Sequence, residues 1–349
     1  MLHRYYRTLP WTAYLRHGWQ SRTNAVMTAF HARWGAATPL FCTSSGRAAL
    51  ALTLATAGIG GADEVLVPQY LSHCVHEVLE RYGRPAFGPS PRTRAVLVFH
   101  QWGFPQDFDA LAAAFPADVR PLWIEDCAHV LEGAWNGVSV GDFGDVAFYS
   151  LPKLFSVSYA GVLRINRAWL HAPIARAWEE APTLSGWRAR WADWCYVRLY
   201  AATPALQHSA VSTASTLYRV LEAFPRGTAI RGAMPTTPAA LEAFLRAQRN
   251  RFRVCLDRFG SQGVLRSGDD LDRLTPLVYP FFCEDSARRA ALVAQCAEYG
   301  LRVDTYHFDV RRNLLAPDFR PCVPIPLHAG IPESVFQRVV RALPAPCPV

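Results

Sequence analysis

Lysine is almost missing from this chain. Of its 36 basic residues only Lys153 is a lysine; the rest are arginines. That excludes a surface crowded with interchangeable ammonium groups. No dense run of positive charge marks a nucleic-acid-binding stripe either. Charge is scarce overall, at 18% of residues against 51% hydrophobic, with a mean hydropathy of +0.03. Such a balance excludes a largely disordered chain. No Cys-x-x-Cys pair occurs among the nine cysteines at 42, 74, 127, 195, 255, 283, 296, 322 and 347. Their irregular spacing reads as reduced thiols of a cytoplasmic protein, not as a disulfide framework. The N-terminal MLHRYYRTLPWTAYLRHGW lacks the apolar core of a signal peptide. Long apolar runs are missing too. Residues 48–62 are too short and carry glycines, and 200–218 are interrupted by Pro204, Gln207 and His208, so no integral membrane segment is expected. There is no internal repeat and no low-complexity tract.

The 349 residues suffice for two domains sharing a large core. A net charge of +8 suits a phosphorylated or nucleotide-linked ligand, although proteins that bind nothing acidic carry the same balance. From 39 to 166, short apolar runs alternate with amphipathic segments. Strands are expected at 39–43, 64–68, 95–100, 121–126, 145–151 and 161–166, with helices at 47–57, 72–83 and 107–115. This alternation predicts a mostly parallel sheet with helices on both faces, in which ligands gather beyond the carboxyl ends of the strands. The stretch 167–235 reads as a helical insertion. Within it, Trp187, Trp191 and Trp194 share one helical face, which suits packing, a subunit contact or a lipid-linked surface. A helix at 238–259 leads into an α+β region with strands at 277–282 and 301–306 and a final helix at 333–343. The expected division is a large α/β domain, 1–235, and a small C-terminal one, 236–349.

Three signals sit at predicted strand ends. Thr43-Ser44-Ser45-Gly46-Arg47 opens an alanine-rich helix whose amides suit a phosphate, although Ser-Gly before a helix is also simple capping. Ile124-Glu125-Asp126-Cys127-Ala128-His129 ends an apolar strand in an acid. A buried carboxylate there can keep a heterocyclic nitrogen protonated; metal ligation and helix capping are the other uses. Ser150-Leu151-Pro152-Lys153 places a lone amine beside a hydroxyl in apolar surroundings, where lysines become nucleophilic. Two further possibilities carry less. His73, Cys74 and His76 lack an established zinc spacing, and Gly58-Ile59-Gly60-Gly61 precedes a strand where a dinucleotide loop would follow one.

The order and spacing of these pieces resemble the DegT/DnrJ/EryC1/StrS family of PLP-dependent (pyridoxal 5'-phosphate) sugar aminotransferases. Ser45–Leu50 resembles the family's phosphate turn, and Glu64–Pro68 its GDEV strand with the following proline. His100-Gln101-Trp102-Gly103-Phe104-Pro105 resembles H-x-y-G-x-P, and Glu125–His129 resembles E-D-x-A-[QH]. Gly141–Gly161, with Lys153 inside, resembles G-x-x-G-D…S…K…G, and the block from 125 to 161 is the most specific part. Residues 300–307 and 324–328 resemble the family's C-terminal elements.

The resemblance implies PLP-dependent transferase fold type I, aspartate-aminotransferase-like. It implies PLP held by Lys153, with Asp126 on the ring nitrogen and His129 on the phenolic oxygen. Ser45, Gly46, Arg47 and Ser150 would sit at the phosphate. Ser72, with Tyr70 or His73, stands where members carry an aromatic over the ring, and no metal is implied. A homodimer with active sites at the subunit interface is implied, transferring an amino group from an amino-acid donor such as glutamate to a nucleotide-linked keto-sugar or related ring ketone. The sequence departs from the family at Arg47, at Ala160-Gly161, in the short Ser150–Lys153 spacing, and at Arg231-Gly232-Ala233-Met234, where a partner-subunit motif is degraded. Other PLP chemistry, such as dehydration, and a non-catalytic homologue are the alternatives; retention of the lysine favours transamination.

Overall fold

The computed structural model describes residues 3–4, 23–115, 120–201, 216–227 and 230–344. Most of the N-terminal segment, much of 200–218 and Cys347 lie outside them. The principal sheet has nine strands. In chain order these are β1 (Leu40–Thr43), β2 (Glu64–Leu66), β3 (Arg84–Ala86), β4 (Thr93–Phe99), β5 (Leu122–Asp126), β6 (Val146–Ser150), β7 (Gly161–Ile165), β8 (Thr183–Leu184) and β9 (Arg226–Gly227). Their spatial order is β8-β9-β1-β7-β6-β5-β4-β2-β3. The run β6-β5-β4-β2-β3 is parallel, and β7 is inserted antiparallel between β6 and β1. The six strands expected between 39 and 166 all form, each within a few residues of the predicted limits.

Both faces of the sheet are covered, because successive side chains on a strand point to opposite sides. Ala95, Leu97, Ile124, Val146 and Phe148 join one core with α2 (Gly46–Thr56), α3 (His73–Tyr82) and α6 (Ala168–Glu180). Val96, Val98 and Trp123 pack on the other face with α4 (Phe108–Ala113). Ala147, Tyr149 and Val162 join the largest core, which also takes in α1 (Thr23–Trp34) and α8 (Pro238–Phe259).

A three-stranded antiparallel sheet follows, of order β10-β12-β11: β10 (Val278–Phe282), β11 (Tyr306–Asp309) and β12 (Phe319–Pro326), flanked by α9 (Ser286–Glu298) and α10 (Glu333–Ala342). Two expectations change here. The strand at 301–306 is really two pieces: Leu301–Arg302 pairs with His3–Arg4, and β11 begins only at Tyr306. Asp304 interrupts the run by accepting the Thr305 amide on its own carboxylate. The central strand β12 was hidden by Pro321, Pro324 and Pro326. It tolerates them partly because Pro324 faces Pro280, where neither residue has an amide to donate. Trp187 and Trp194 lie on α7 (Gly186–Ala201) and are exposed by 70% and 46%, so these two do not pack in the core of the chain.

Candidate active site

Chemistry gathers where β1, β5 and β6 end. Asp126 is the last residue of β5 and Ser150 the last of β6, with Asp126 in register with Phe148. The single turn α5 (Leu151–Leu154) follows Ser150 at once and carries Lys153. Its Nζ lies 3.1 Å from His129 Nε2, and its charge acts directly on the Asp126 carboxyl. Residues from two separate pieces of sequence, Asp126 and His129 from one and Lys153 from the other, therefore meet.

Asp126 and His129 are buried in different electrostatic positions, and Lys153 is partly buried. Asp126 is 2% exposed, and its Oδ1 accepts the Ala128 amide. Burial raises its carboxyl above the ordinary range; the Lys153 charge and the Ala128 amide oppose this without cancelling it. His129 is 5% exposed, and burial, followed by the Lys153 charge, holds it well below the usual imidazole value. Its Nδ1 accepts the Trp102 amide at 3.2 Å, and its ring lies edge-on to Phe99.

Across the antiparallel strand β7, Gly161 pairs with both Ser150 and Thr43. A Cβ there would stand 2.4 Å from the Ser45 carbonyl carbon and 2.5 Å from Thr43 Oγ1, so only glycine lets the Ser44-Ser45 turn lie against β7. A Cβ on Gly46 would in turn meet Ser150 Cβ at 3.3 Å. Ser45, Gly46 and Ser150 are thus neighbours around the N-terminus of α2. Ser45 Oγ caps that helix by accepting the Ala48 amide, while the first-turn amides of Gly46 and Arg47 have no acceptor inside the helix.

Two called residues behave differently. The Arg47 guanidinium, 8% exposed, is not directed to a phosphate role: it pairs with Glu222 and Glu77 and lies over the Tyr218 ring. Only the Arg47 backbone amide is left at the α2 N-terminus. Ser72 stands exposed at the start of α3 without a side-chain capping bond, and its hydroxyl lies 3.1 Å from Cys74 Sγ. No described contact joins it to Lys153 or Asp126. Of its suggested substitutes, Tyr70 stacks on His307 at 5.6 Å and His73 pairs with Glu77 at 3.5 Å. The 231–234 segment is bound within its own chain, Arg231 to Asp193 and Gly232–Ala233 to Ser156–Val157.

A layer that the sequence reading left without a role supports the site. His100 Nδ1 accepts the Gln106 amide, which leaves Nε2 to face Glu125 at 2.9 Å. Glu125 also takes the Gly141 and Gly144 amides. Among the described residues, His100, Glu125 and Cys127 are the group close enough to share one ion, but the first two are already engaged by these bonds. The group does not include His73, Cys74 or His76.

Residues 28–170 match a family model described as "Putative PLP-dependent aminotransferase". A DegT DnrJ EryC1 StrS aminotransferase from Brucella abortus superposes with a TM-score of 0.60 at 16% identity, over 95% of this chain and 91% of that one. The fold is that of the PLP-dependent aminotransferases. The aminotransferase fold is matched again by 3-amino-5-hydroxybenzoic acid synthase, with a TM-score of 0.58 at 18% identity over 92% of this chain and 89% of that one. In sequence, the 3-amino-5-hydroxybenzoate synthase of Amycolatopsis mediterranei is 29% identical over 160 residues, 40% of this chain and 41% of that protein. A UDP-N-acetyl-3-dehydro-alpha-D-glucosamine 3-aminotransferase of Acidithiobacillus ferrooxidans is 31% identical over 136 residues, 34% and 37% of the two chains. These alignments span about two fifths of the curated relatives. No helix among the described residues is long and apolar enough to cross a membrane.

Proposed function

We propose that this protein is a PLP-dependent aminotransferase that moves an amino group, from glutamate, onto a nucleotide-linked keto-sugar or a related ring ketone. The meeting of Lys153, His129 and Asp126 beside the α2 N-terminus carries the reading. The residues fit the cofactor group by group. The Gly46 and Arg47 amides, with the Ser45 and Ser150 hydroxyls, suit a phosphate, and the missing Cβ of Gly161 keeps that cradle formed. Asp126 would hold the proton of the pyridine nitrogen, relieving the cost of its own burial. His129 would donate to the phenolic oxygen. Lys153 would hold the group covalently and afterwards move a proton at the substrate carbon. Bound there, the cofactor supplies the electron sink that makes that carbon acidic.

The acceptor class is supported by what the relatives' names state: a UDP-linked amino sugar, scyllo-inosose and GDP-perosamine chemistry all recur among them. A net charge of +8 suits an anionic nucleotide. A cytoplasmic homodimer completes the proposal. With PLP the purified protein should be yellow, and borohydride should fix the cofactor to the peptide containing Lys153. Lys153→Ala should remain folded and colourless. Glutamate should then convert the bound cofactor to its amine form. A spectrum unmoved by glutamate and by other amino donors would end the transaminase reading.

A further inference from the structure

Among the described residues, Trp102 carries the one non-glycine left-handed backbone in contact with the site. Its φ is 53°, in the left-handed region that a bulky residue rarely enters, and Gly103 follows at φ 94°. The turn is clamped from the C-terminal sheet. Trp102 O accepts the Leu277 amide at 2.7 Å, and the indole stacks on Phe308 at 5.7 Å. Gly103 fits with no room to spare: a Cβ would stand 3.0 Å from His129 O and from Pro276 Cα. What this geometry delivers is a single amide proton aimed at His129 Nδ1.

That proton settles the neighbouring hydrogen bond. A neutral imidazole has one donor and one acceptor nitrogen. With Nδ1 accepting from Trp102, the ring proton belongs on Nε2, which faces Lys153 Nζ at 3.1 Å. The reverse arrangement, an ammonium donating to Nε2, would put the ring proton on Nδ1, donor against donor with the Trp102 amide. We propose that the Trp102–Gly103 turn is a positioning element of the amine site, fixing the His129 proton on Nε2 so that it is donated to Lys153 and the amine stands in its nucleophilic free-base form before the cofactor arrives. The proposal rests on the reading of Lys153 as the cofactor-holding amine. Burial, the larger cause of its lowered value and one that does not depend on the lysine's charge, keeps His129 neutral. Asp126 works against it, since an ionised carboxylate favours an ammonium; His100, which also acts on Asp126, is paired with Glu125.

The single lysine makes the test direct, because lysine labelled with ¹³C and ¹⁵N gives one side-chain signal in the cofactor-free enzyme. Nitrogen-15 spectra of the imidazoles, with His129 assigned from His129→Gln, should show the Nε2–H form alone. Lys153 should be mostly the free amine at neutral pH, titrating below neutrality and not at the ordinary value of about 10.4. Trp102→Phe keeps the amide and should leave both readings in place. Gly103→Ala should mix the tautomers and raise the lysine value. A His129 proton on Nδ1, a Lys153 amine still protonated at neutral pH in the wild type, or a folded Gly103→Ala with both readings unchanged would each overturn the proposal. The wild-type measurements stand even if Gly103→Ala fails to fold. Since no cofactor is present, their outcome is independent of whether borohydride later traps PLP on Lys153, so the two readings fail separately.

Discussion

Asp126 and His129 are shifted in opposite directions, and each shift has a consequence for stability. The Asp126 carboxyl is raised by burial, so the folded chain takes up its proton more readily than the unfolded one. Its contribution is greatest below the unfolded value of about 3.9 and is lost as pH rises through the folded value. At neutral pH the ionised side chain is therefore a burden in the cofactor-free protein. Asp126→Asn is expected to raise its melting temperature by about 1–3 °C, while transamination falls by roughly a hundredfold or more. Calorimetry and single-turnover kinetics check the two halves. His129 is depressed instead, so its contribution is present above about pH 6.5 and is lost as pH falls through the folded value. Wild type should lose up to about 1.4 kcal/mol per pH unit from this one group on acidification, a slope that His129→Gln should flatten in urea titrations. Lys153, Asp126 and His129 were legible in the sequence because each stands at or just past an apolar strand end. The Trp102 role was not, since a backbone amide leaves no side-chain signature.

At the scale of elements, the α2 N-terminus depends on contacts from distant parts of the chain. Gly161 lets the preceding turn lie against β7, and Gly161→Ala would force the Ser45 backbone away. Cofactor affinity is expected to drop about tenfold or more, measured by PLP titration, with little change in the far-ultraviolet dichroism. Glu222, 6% exposed at its side chain, holds Arg47 and Arg81 together. Replacing it with alanine leaves the Arg47 guanidinium buried with Glu77 alone, at an expected cost of about 3–5 kcal/mol in chemical denaturation. The strands of the large sheet were readable because strands covered on both faces are uniformly apolar. Where the Arg47 side chain goes was not readable, because its partner Glu222 lies 175 positions later, in a helical segment (216–223) without a family pattern. Strand β12 was missed because proline usually forbids a central strand.

At the scale of the molecule, two exposed tryptophans on α7 remain uncovered by the chain itself. The proposed homodimer should elute at twice the 38.9 kDa chain mass, and a monomer at working concentration in light scattering would count against it. The sequence by itself determined the alternation that yields the sheet and the acid and amine at its strand tips, because these depend on local periodicity and on residue chemistry. Tertiary structure alone decided which way Arg47 turns, that Ser72 stays exposed, and which nitrogen of His129 carries the proton. Each of those depends on a group brought from far along the chain to within hydrogen-bonding or packing distance, and no local pattern encodes such an encounter.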